Sequence, residues 1–553
     1  MTGGKGQTQI LVIDDERLIR LTLRAKLRLI GYEAVAVESV KEALALLNKR
    51  EGMPFMAIIT DILKGEMDGF VLRDIVRGMD ENLPIFFMTA LDPEEGGGFL
   101  KKILSDPNSY YLPKSVKVEV LLKRVQSIVA LRRVEQYIER QQAESRQALA
   151  LAAHVQRNML PVRAQMTDQM FYTTWWQPKD VVSGDLYEAV PLGDDGFLYV
   201  LGDVQGHGIS AALAMTAVQA FLKQMTLREG ARQLRPHDFA NLIHRFFRES
   251  LADVLYMTAL ICVHRPREGY VDWLSCGAPD LTVLDPENPD APPVNPERRG
   301  GMPIGMMPET VYTAEDTVRT PLADTALCVA HTDGVLDISR DPEGMEQMPE
   351  ETRRKIRDGL LLDARRNGSI VAAPYKFMTA CEEVGYPYCA DDVTEVIFGA
   401  RWKKKGIFEA TVPIHSHSID EVAQRIGAWC AEQKWGADVS TLVQLVFAEK
   451  LMNLHDHGFD DRERWREVAS VRVRALADCA ELTVWDCGRQ EPSIEVATGD
   501  ADVAFALANK AFSGRGRGRL MVRQICDGIS RNRYGNLNET IYYIPFQKTE
   551  QHK

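Results

Sequence analysis

Cysteine is absent from the first 261 residues of this 553-residue chain, and the nine that follow, from Cys262 onward, form no C-x-x-C pair. An odd, scattered set without zinc spacing excludes a disulfide framework and reads as reduced thiols. Positive charge is in deficit: 66 Lys and Arg stand against 78 Asp and Glu, for a net charge of −12. DNA binding needs a basic face to neutralise phosphates, so nucleic acid is not an expected partner. No helix-turn-helix or basic recognition segment is present either. Long apolar runs are also missing. No stretch approaches the roughly 20 residues needed to span a bilayer, and the polar start at Met1 runs into a strand without a signal-peptide apolar segment. A cytoplasmic protein with no membrane segment is expected. What remains is an ordinary globular composition, 45% apolar and 26% charged. The length suits three or four domains, each with its own core.

Four apolar runs within residues 1–130 end in groups able to do chemistry. Ile10-Leu11-Val12-Ile13 ends in Asp14-Asp15, Ala57-Ile58-Ile59-Thr60 in Asp61, Pro84-Ile85-Phe86-Phe87-Met88 in Thr89, and Tyr110-Tyr111-Leu112-Pro113 in Lys114. Continuous apolar runs mark buried parallel strands, and helical periodicity over residues 18–29 and 40–47 alternates with them. A doubly wound α/β sheet follows, with its ligands beyond the carboxyl ends of the strands. Asp14 and Asp15, with Asp61 beside them, suit Mg²⁺ through oxygen ligands. Asp61 can then accept a phosphoryl group as nucleophile, with the metal and Lys114 balancing the charge and Thr89 bonding to the new acyl phosphate. A single acid at a strand end is ordinarily a solvated loop residue; five such groups in this order are not. The segment resembles response-regulator receiver domains, with Pro113-Lys114 inverting the more usual Lys-Pro order. The resemblance implies an upstream sensor histidine kinase.

A helical linker is expected over residues 131–160. From Leu131, the positions Val134, Ile138, Gln141, Ser145, Ala148, Ala152, Val155 and Met159 recur at spacings of three and four. That is a coiled-coil seam, and a parallel homodimer is expected from it. Gln141 and Ser145 weaken the seam; the alternative is a signalling helix packed on the domain that follows.

Residues 161–400 are strand-rich with grouped helices, the pattern of an α+β sandwich. Ser183-Gly184-Asp185, Gly202-Asp203-Val204-Gln205-Gly206-His207-Gly208, Thr332-Asp333-Gly334 and Asp391-Asp392 each set an aspartate at a strand end or a glycine turn. Oxygen ligands without a Cys or His cluster select Mg²⁺ or Mn²⁺ over zinc. Two such ions about 4 Å apart supply an activated water for in-line phosphoryl displacement. Asp203 is the best candidate to bridge both, and the tight glycine turn lets backbone carbonyls such as that of Val204 join. These motifs resemble the PPM-type serine/threonine phosphatases, in their bacterial sporulation and stress branch. The resemblance implies an α/β sandwich and ligation by Asp185, Asp203, the Val204 carbonyl, Asp333 and Asp391, with Asp392 a neighbour. The family's Asn-Ala-Gly-His segment reads Ser275-Cys276-Gly277-Ala278 here, and Asp337 replaces a frequent Glu. His207 is expected to serve the turn geometry and not to act as a base.

A short basic hinge, Trp402-Lys403-Lys404-Lys405-Gly406, leads into residues 406–553. Residues 439–454 form an amphipathic helix with Leu442, Leu445, Val446 and Leu454 on its apolar side, and Glu449, Asn453 and His457 share another face. Asn453 can hold Mg²⁺ on ATP, and Glu449 can orient or deprotonate an attacking group. The strand Leu482-Thr483-Val484-Trp485 delivers Asp486-Cys487-Gly488, a carboxylate for the adenine amino group and a glycine that lets the backbone approach the ring. Gly514-Arg515-Gly516-Arg517-Gly518-Arg519 opens a helix at residues 520–526, bringing amides at Gly516 and Gly518 to phosphates. Alone, a flexible loop explains that run equally well. Together the motifs resemble the GHKL-type ATPase α/β sandwich in its anti-sigma serine kinase branch, departing from it at Gln490 and Arg519.

The combined expectation is a phosphorylation-controlled, partner-switching regulator. Its substrate would be a STAS-class anti-sigma-factor antagonist, phosphorylated on Ser or Thr by the C-terminal domain and dephosphorylated by the middle one. An anti-sigma factor, and through it a sigma factor, would be held or freed accordingly. The alternative is an anti-sigma-like binding protein whose ATP site is structural and which sequesters its partner directly.

Overall fold

The computed structural model describes residues 9–48, 55–62, 69–90, 97–193, 195–206, 208–251, 255–285, 287, 301–368, 370–401, 405–459, 467–489 and 517–546. The chain divides into two compact units, Met1–Ala148 and Leu149–Lys553. Among the described residues no helix is long and apolar enough to cross a membrane.

The first unit alternates β1 (Gln9–Ile13), α1 (Arg17–Leu29), β2 (Glu33–Val37), α2 (Val40–Asn48), β3 (Phe55–Asp61), α3 (Gly69–Arg77), β4 (Ile85–Thr89), α4 (Gly97–Leu104) and β5 (Ser109–Pro113). The strands pair in parallel in the order β2-β1-β3-β4-β5. Ile10 and Val12 enter the core on one face of the sheet, while Leu11 and Ile13 enter the core on the other. Burial on both faces is why these strands read as unbroken apolar runs. Helix α5 (Val118–Met159) then runs without interruption for 42 residues. It starts well before Leu131: Leu121, Leu122, Val125 and Val129 lie in the first unit's core, and Arg132 pairs with Asp80 at 2.8 Å. Beyond that turn the seam residues Val134 and Ile138 are exposed.

The second unit opens with β6 (Ala164–Met166), β7 (Met170–Gln177), β8 (Asp185–Pro191), β9 (Phe197–Val204), α6 (Ile209–Thr226), α7 (Pro236–Ser250), β10 (Met257–Arg265), β11 (Tyr270–Cys276), β12 (Thr282–Leu284) and β13 (Val318–Pro321). It continues with β14 (Leu327–His331), β15 (Ile338–Ser339), α8 (Glu350–Asn367), α9 (Ala373–Glu383), β16 (Tyr388–Cys389) and β17 (Val393–Ala400). Two five-stranded antiparallel sheets, β13-β11-β10-β9-β8 and β12-β14-β17-β7-β6, enclose the main core. Helices α6 and α7 pack on the first sheet, and α8 and α9 cover the second. This is the layered sandwich expected from the strand and helix grouping.

The C-terminal domain comprises β18 (Ile407–Pro413), α10 (Ser416–Glu432), α11 (Ala437–His457), β19 (Val468–Ala475), β20 (Cys479–Asp486), α12 (Arg517–Ile525), β21 (Gly528–Tyr534) and β22 (Leu537–Pro545). Its antiparallel sheet, β18-β19-β20-β22-β21, carries the helices on one face. Two local expectations are corrected. Leu445 is exposed, and Val443, Phe447 and Leu451 fill the core side of α11 instead. Helix α12 starts at Arg517, three residues before the expected Leu520.

The other face of this sheet is covered as well. Trp485 and Leu537 share a cluster with Trp175, Tyr375 and Phe377 of the middle domain. Lys376 Nζ lies 3.1 Å from Glu539, which also accepts from Trp485 Nε1 at 2.9 Å. Arg472 donates to the Asn367 carbonyl at 2.6 Å while pairing with Glu481 at 2.7 Å. Residues 402–404 of the expected hinge lie outside the described residues, and the domains on either side of it share a core.

Candidate active site

Four separate stretches bring their carboxylates together at one end of the middle sandwich. Asp185, at the start of β8, lies opposite Asp203 near the end of β9. Asp185 is buried, and its Oδ2 accepts hydrogen bonds from Thr332 at 2.8 Å and Thr394 at 2.6 Å. Burial, then the charge of Asp203, pushes its pKa well up. Asp203 is raised to about 7, by burial first and then by Asp333, Asp391 and Asp392. Asp333 is also raised, by burial and then by Asp391 and Asp337. A carboxylate crowded by like charges in a partly dry site is one short of positive charge.

The backbone completes the cradle. A Cβ at Gly184 would meet the Val204 carbonyl oxygen at 3.0 Å, Asp203 Oδ1 at 3.3 Å and the Gly206 oxygen at 3.4 Å. Gly206 and Gly208 have φ of +95° and +79°, the left-handed region that favours glycine, and Gly208 caps α6. At Gly334 a Cβ would run into the Asp392 carbonyl oxygen, so the Thr-Asp-Gly turn needs glycine for close backbone approach. The adjacent acids differ in their duties. Asp392 accepts from the backbone N–H groups of Lys179 at 2.7 Å and Gly184 at 2.9 Å, so its oxygens hold the 179–184 loop. Asp391 accepts the neighbouring Asp392 N–H at 2.8 Å and no other side-chain hydrogen bond among the described residues, which leaves it the freer of the two to hold a cation. Oxygen-only donors with a carbonyl in the same cradle fit hard divalent cations. His207 lies outside the described residues.

In the first unit, Lys114 Nζ sits 2.8 Å from Asp61 Oδ2 and 3.3 Å from Asp14 Oδ2. Burial alone would lower the Lys114 pKa, but the bond to Asp61 and the charges of Asp14 and Asp61 hold it above its ordinary value. Thr89 is buried at the end of β4, and its carbonyl accepts the Lys114 N–H at 2.7 Å. Carboxylate oxygens of Asp14, Asp15 and Glu16 lie within 4.8 Å of one another, a grouping suited to a hard cation. Glu16 was not anticipated from sequence; it sits one residue beyond the acidic pair and also approaches Lys114, at 3.4 Å.

A family profile described as Response regulator receiver domain matches residues 10–126, and one described as Stage II sporulation protein E (SpoIIE) matches residues 193–401. The chain joins a receiver domain to a SpoIIE-type phosphatase domain. It is similar to "Response regulator MprA" of Mycobacterium sp. (strain KMS), at 32% identity over 124 residues, 22% of this chain and 50% of that protein. It is also similar to "Protein IcfG" of Synechocystis sp., at 24% identity over 222 residues, 36% of this chain and 34% of that protein. The chain thus spans about half the length of the curated MprA relatives it matches. Among solved structures it is similar to the RsbU and RsbW domains of Rv1364c from Mycobacterium tuberculosis, at 16% identity and TM-score 0.37, over 70% of this chain and 96% of that one.

Asp185 precedes the segment matched to SpoIIE, so its place in the candidate site rests on its register with Asp203 and its bonds to Thr332 and Thr394. Its loop has one further support that sequence reasoning missed. Gln156, buried near the end of α5, donates Nε2 to the Ser183 carbonyl at 2.6 Å and accepts the Ser183 N–H on Oε1 at 3.1 Å. Both ends of one amide are thereby spent on the residue two before Asp185. Ala153 packs with Val182 and Ala212 on the same contact, so the last turns of α5 do pack on the phosphatase domain.

In the C-terminal domain, Asn453 Nδ2 donates to Glu449 Oε1 at 3.3 Å, one turn away on α11, and His457 ends that helix, exposed. Asp486 is buried at the end of β20. Its Oδ1 accepts from the Gly488 N–H and from Asn538 Nδ2, each at 2.9 Å, and its Oδ2 lies 3.2 Å from the buried Lys450 ammonium. Lys450 and Asn538 are partners that no motif indicated. Gly518 lies in α12, and Gly516 lies outside the described residues.

Proposed function

We propose that this chain is a phosphorylation-controlled regulator of the partner-switching type, acting in the cytoplasm. Its phosphatase domain removes phosphate from serine or threonine of a STAS-domain anti-sigma-factor antagonist. The observation that carries the reading is the meeting of Asp185, Asp203, Asp333 and Asp391 from four stretches of chain within a SpoIIE-type domain. In this reading those four and the Val204 carbonyl hold two Mg²⁺ or Mn²⁺ ions, which when bound supply the activated water. The chain's own groups hold that cradle in shape: Thr332 and Thr394 fix the Asp185 carboxylate, and Asp392 and Gln156 fix its loop.

Gln156→Leu tests the last point. It leaves an apolar side chain one bond shorter and strips the Ser183 N–H and carbonyl of their partners, at a cost of about 1–3 kcal/mol per buried group. Phosphoserine hydrolysis is expected to fall at least about tenfold, with a lower melting temperature. Unchanged turnover would show that α5 does not position the Asp185 loop.

Asp61, with Mg²⁺ on Asp14 and Asp15 and with Thr89 and Lys114 at hand, is proposed as the phosphoacceptor for an upstream sensor histidine kinase. Its phosphorylation is expected to activate dephosphorylation, with kinase output dominating otherwise. Moving such a balance from 1:99 to 99:1 takes about 5.5 kcal/mol of differential stabilisation. Acetyl phosphate or beryllofluoride should raise turnover in the wild type and leave Asp61→Ala unchanged; equal turnover with and without the mimic sinks the switch. A homodimer formed through α5 is part of the proposal, supported by the exposure of Leu131 (64%), Val134 (56%) and Ile138 (47%) along the seam.

The C-terminal domain is proposed as a GHKL-type module that binds ATP through Asn453, His457, Asp486, Gly488, Gly516 and Gly518, and phosphorylates the same antagonist with Glu449 as base. One observation favours the second reading, a binding module that sequesters its partner, whether antagonist or anti-sigma factor: Lys450, Gly488 and Asn538 already surround the Asp486 carboxylate. Transfer of label from ATP to the antagonist by the full chain supports the kinase; a stable complex without transfer supports sequestration.

A further inference from the structure

A cavity of about 490 Å³ opens where the end of α5, the phosphatase domain and the β21–β22 hairpin meet. Its walls include Arg157, Arg163, Trp176, Tyr375, Tyr534 and Glu382. A smaller recess of about 150 Å³ adjoins it, sharing Arg157, Arg163, Trp176 and Tyr375. The volume lies in the range of small-molecule sites, which combine apolar or aromatic walls with a few polar groups.

Two of the polar groups here are guanidinium cations, and one of them has a buried N–H without a partner. Tyr375 bonds the Arg163 guanidinium and Glu467 of the smaller recess faces it, but one N–H is left over. Arg163 Nη1 is sealed from solvent without a hydrogen bond, although its electrostatic neighbours include Cys487, Tyr375 and Glu467. A guanidinium with an unmet buried N–H is costly unless an acceptor arrives, and two guanidinium groups on one cavity favour a phosphate or carboxylate. Against these two cations the larger cavity sets Glu382 and the smaller recess Glu467, so the pair suits a ligand of low negative charge. Indole and phenol rings on the same walls offer stacking faces to a flat ring.

We propose that this cavity binds a small phosphate-bearing ligand with a flat ring, of the nucleoside monophosphate class. Arg157 and Arg163 take its phosphate, and the aromatic walls take its base. The site is separate from the carboxylate cradle but adjoins two of its supports. Trp176 Nε1 donates to the Asp185 carbonyl at 3.4 Å, and Arg157 follows Gln156, whose amide grips Ser183. An occupant therefore bears on the loop and strand that carry Asp185, and binding is expected to change phosphatase turnover. That effect rests on the phosphatase reading; the binding itself does not.

Calorimetry on the full chain carrying Asn453→Ala, which removes the expected ATP site, tests the proposal with AMP, GMP and inorganic phosphate as probes. At least one nucleotide should bind, and Arg163→Gln should weaken it about tenfold or more, the loss expected of a charge-assisted hydrogen bond. Trp176→Leu should weaken the nucleotide and leave phosphate unaffected. If Arg163→Gln fails to fold, the exposed Arg157→Gln provides the same test. No binding by any probe, or binding indifferent to both arginines, overturns the site. Phosphate binding as tightly as the nucleotides overturns the flat-ring assignment. Binding in a chain that hydrolyses no phosphoserine would uphold the site and remove the phosphatase reading instead.

Discussion

Asp203→Ala is expected to abolish phosphoserine hydrolysis, a fall of at least about a thousandfold, while leaving nucleotide binding by the C-terminal domain intact. Asp203 lies opposite Asp185 in the β8–β9 ladder and feels Asp333, Asp391 and Asp392. It is charge-coupled to Asp185 as well as to Asp333 and Asp391, so its loss is expected to empty both proposed metal positions together. The same crowding predicts the effect on stability. Burial and like charges raise the Asp203 pKa to about 7, so the ionised carboxylate is disfavoured in the fold when no cation is present. Its removal should leave the melting temperature of the metal-free protein unchanged or higher, the usual trade of stability against function at an active site. Hydrolysis near the wild-type rate with excess Mn²⁺ would refute the bridging role. A large fall in melting temperature would show that the residue is structural.

The second large effect is expected at α11. Asn453→Ala should weaken Mg-ATP binding by at least about a hundredfold, since loss even of outer partners of a metal costs about 10–100-fold. The Asn453 amide donates its N–H to Glu449, which leaves its oxygen for a cation. Glu449→Gln keeps a hydrogen-bond partner for Asn453 but removes a base, so binding should persist and phosphoryl transfer should slow. Titration with a fluorescent ATP analogue and single-turnover transfer separate the two roles. Equal loss of affinity in both variants would show that the roles are not divided as assigned.

The parts legible in advance are those whose physics is local. Unbroken apolar runs at residues 10–13 and 57–60 announce strands buried on both faces, as the alternation of Ile10 and Val12 against Leu11 and Ile13 between two cores bears out. Chemistry-bearing groups at the carboxyl ends of such strands follow from chain order alone, and Lys114 does reach Asp61. Glycine turns at Gly206 and Gly208 mark positive φ because few other residues tolerate it. The i, i+4 spacing of Glu449 and Asn453 places them together on any helix. Local periodicity was less reliable around α11, where Leu445 faces solvent and Phe447 the core, because helix propensity does not say which stripe a sheet will cover.

Sequence by itself determined the receiver sheet, the aspartate motifs and the Glu/Asn helix, because each is written within a few residues by periodicity, strand ends or turn geometry. Tertiary structure alone decided that Thr332 and Thr394 hold Asp185 across 147 and 209 residues, that Asp392 grips the 179–184 loop beside Asp391, and that Gln156 clamps Ser183. It also decided that Lys450 and Asn538 surround Asp486, and that Trp485 and Leu537 bury themselves against the phosphatase domain. The physical reason is the same in each case. A hydrogen bond or buried ring between distant residues leaves no period in the sequence, and β20, buried on both faces, looks the same whether its second neighbour is solvent-facing helix or another domain.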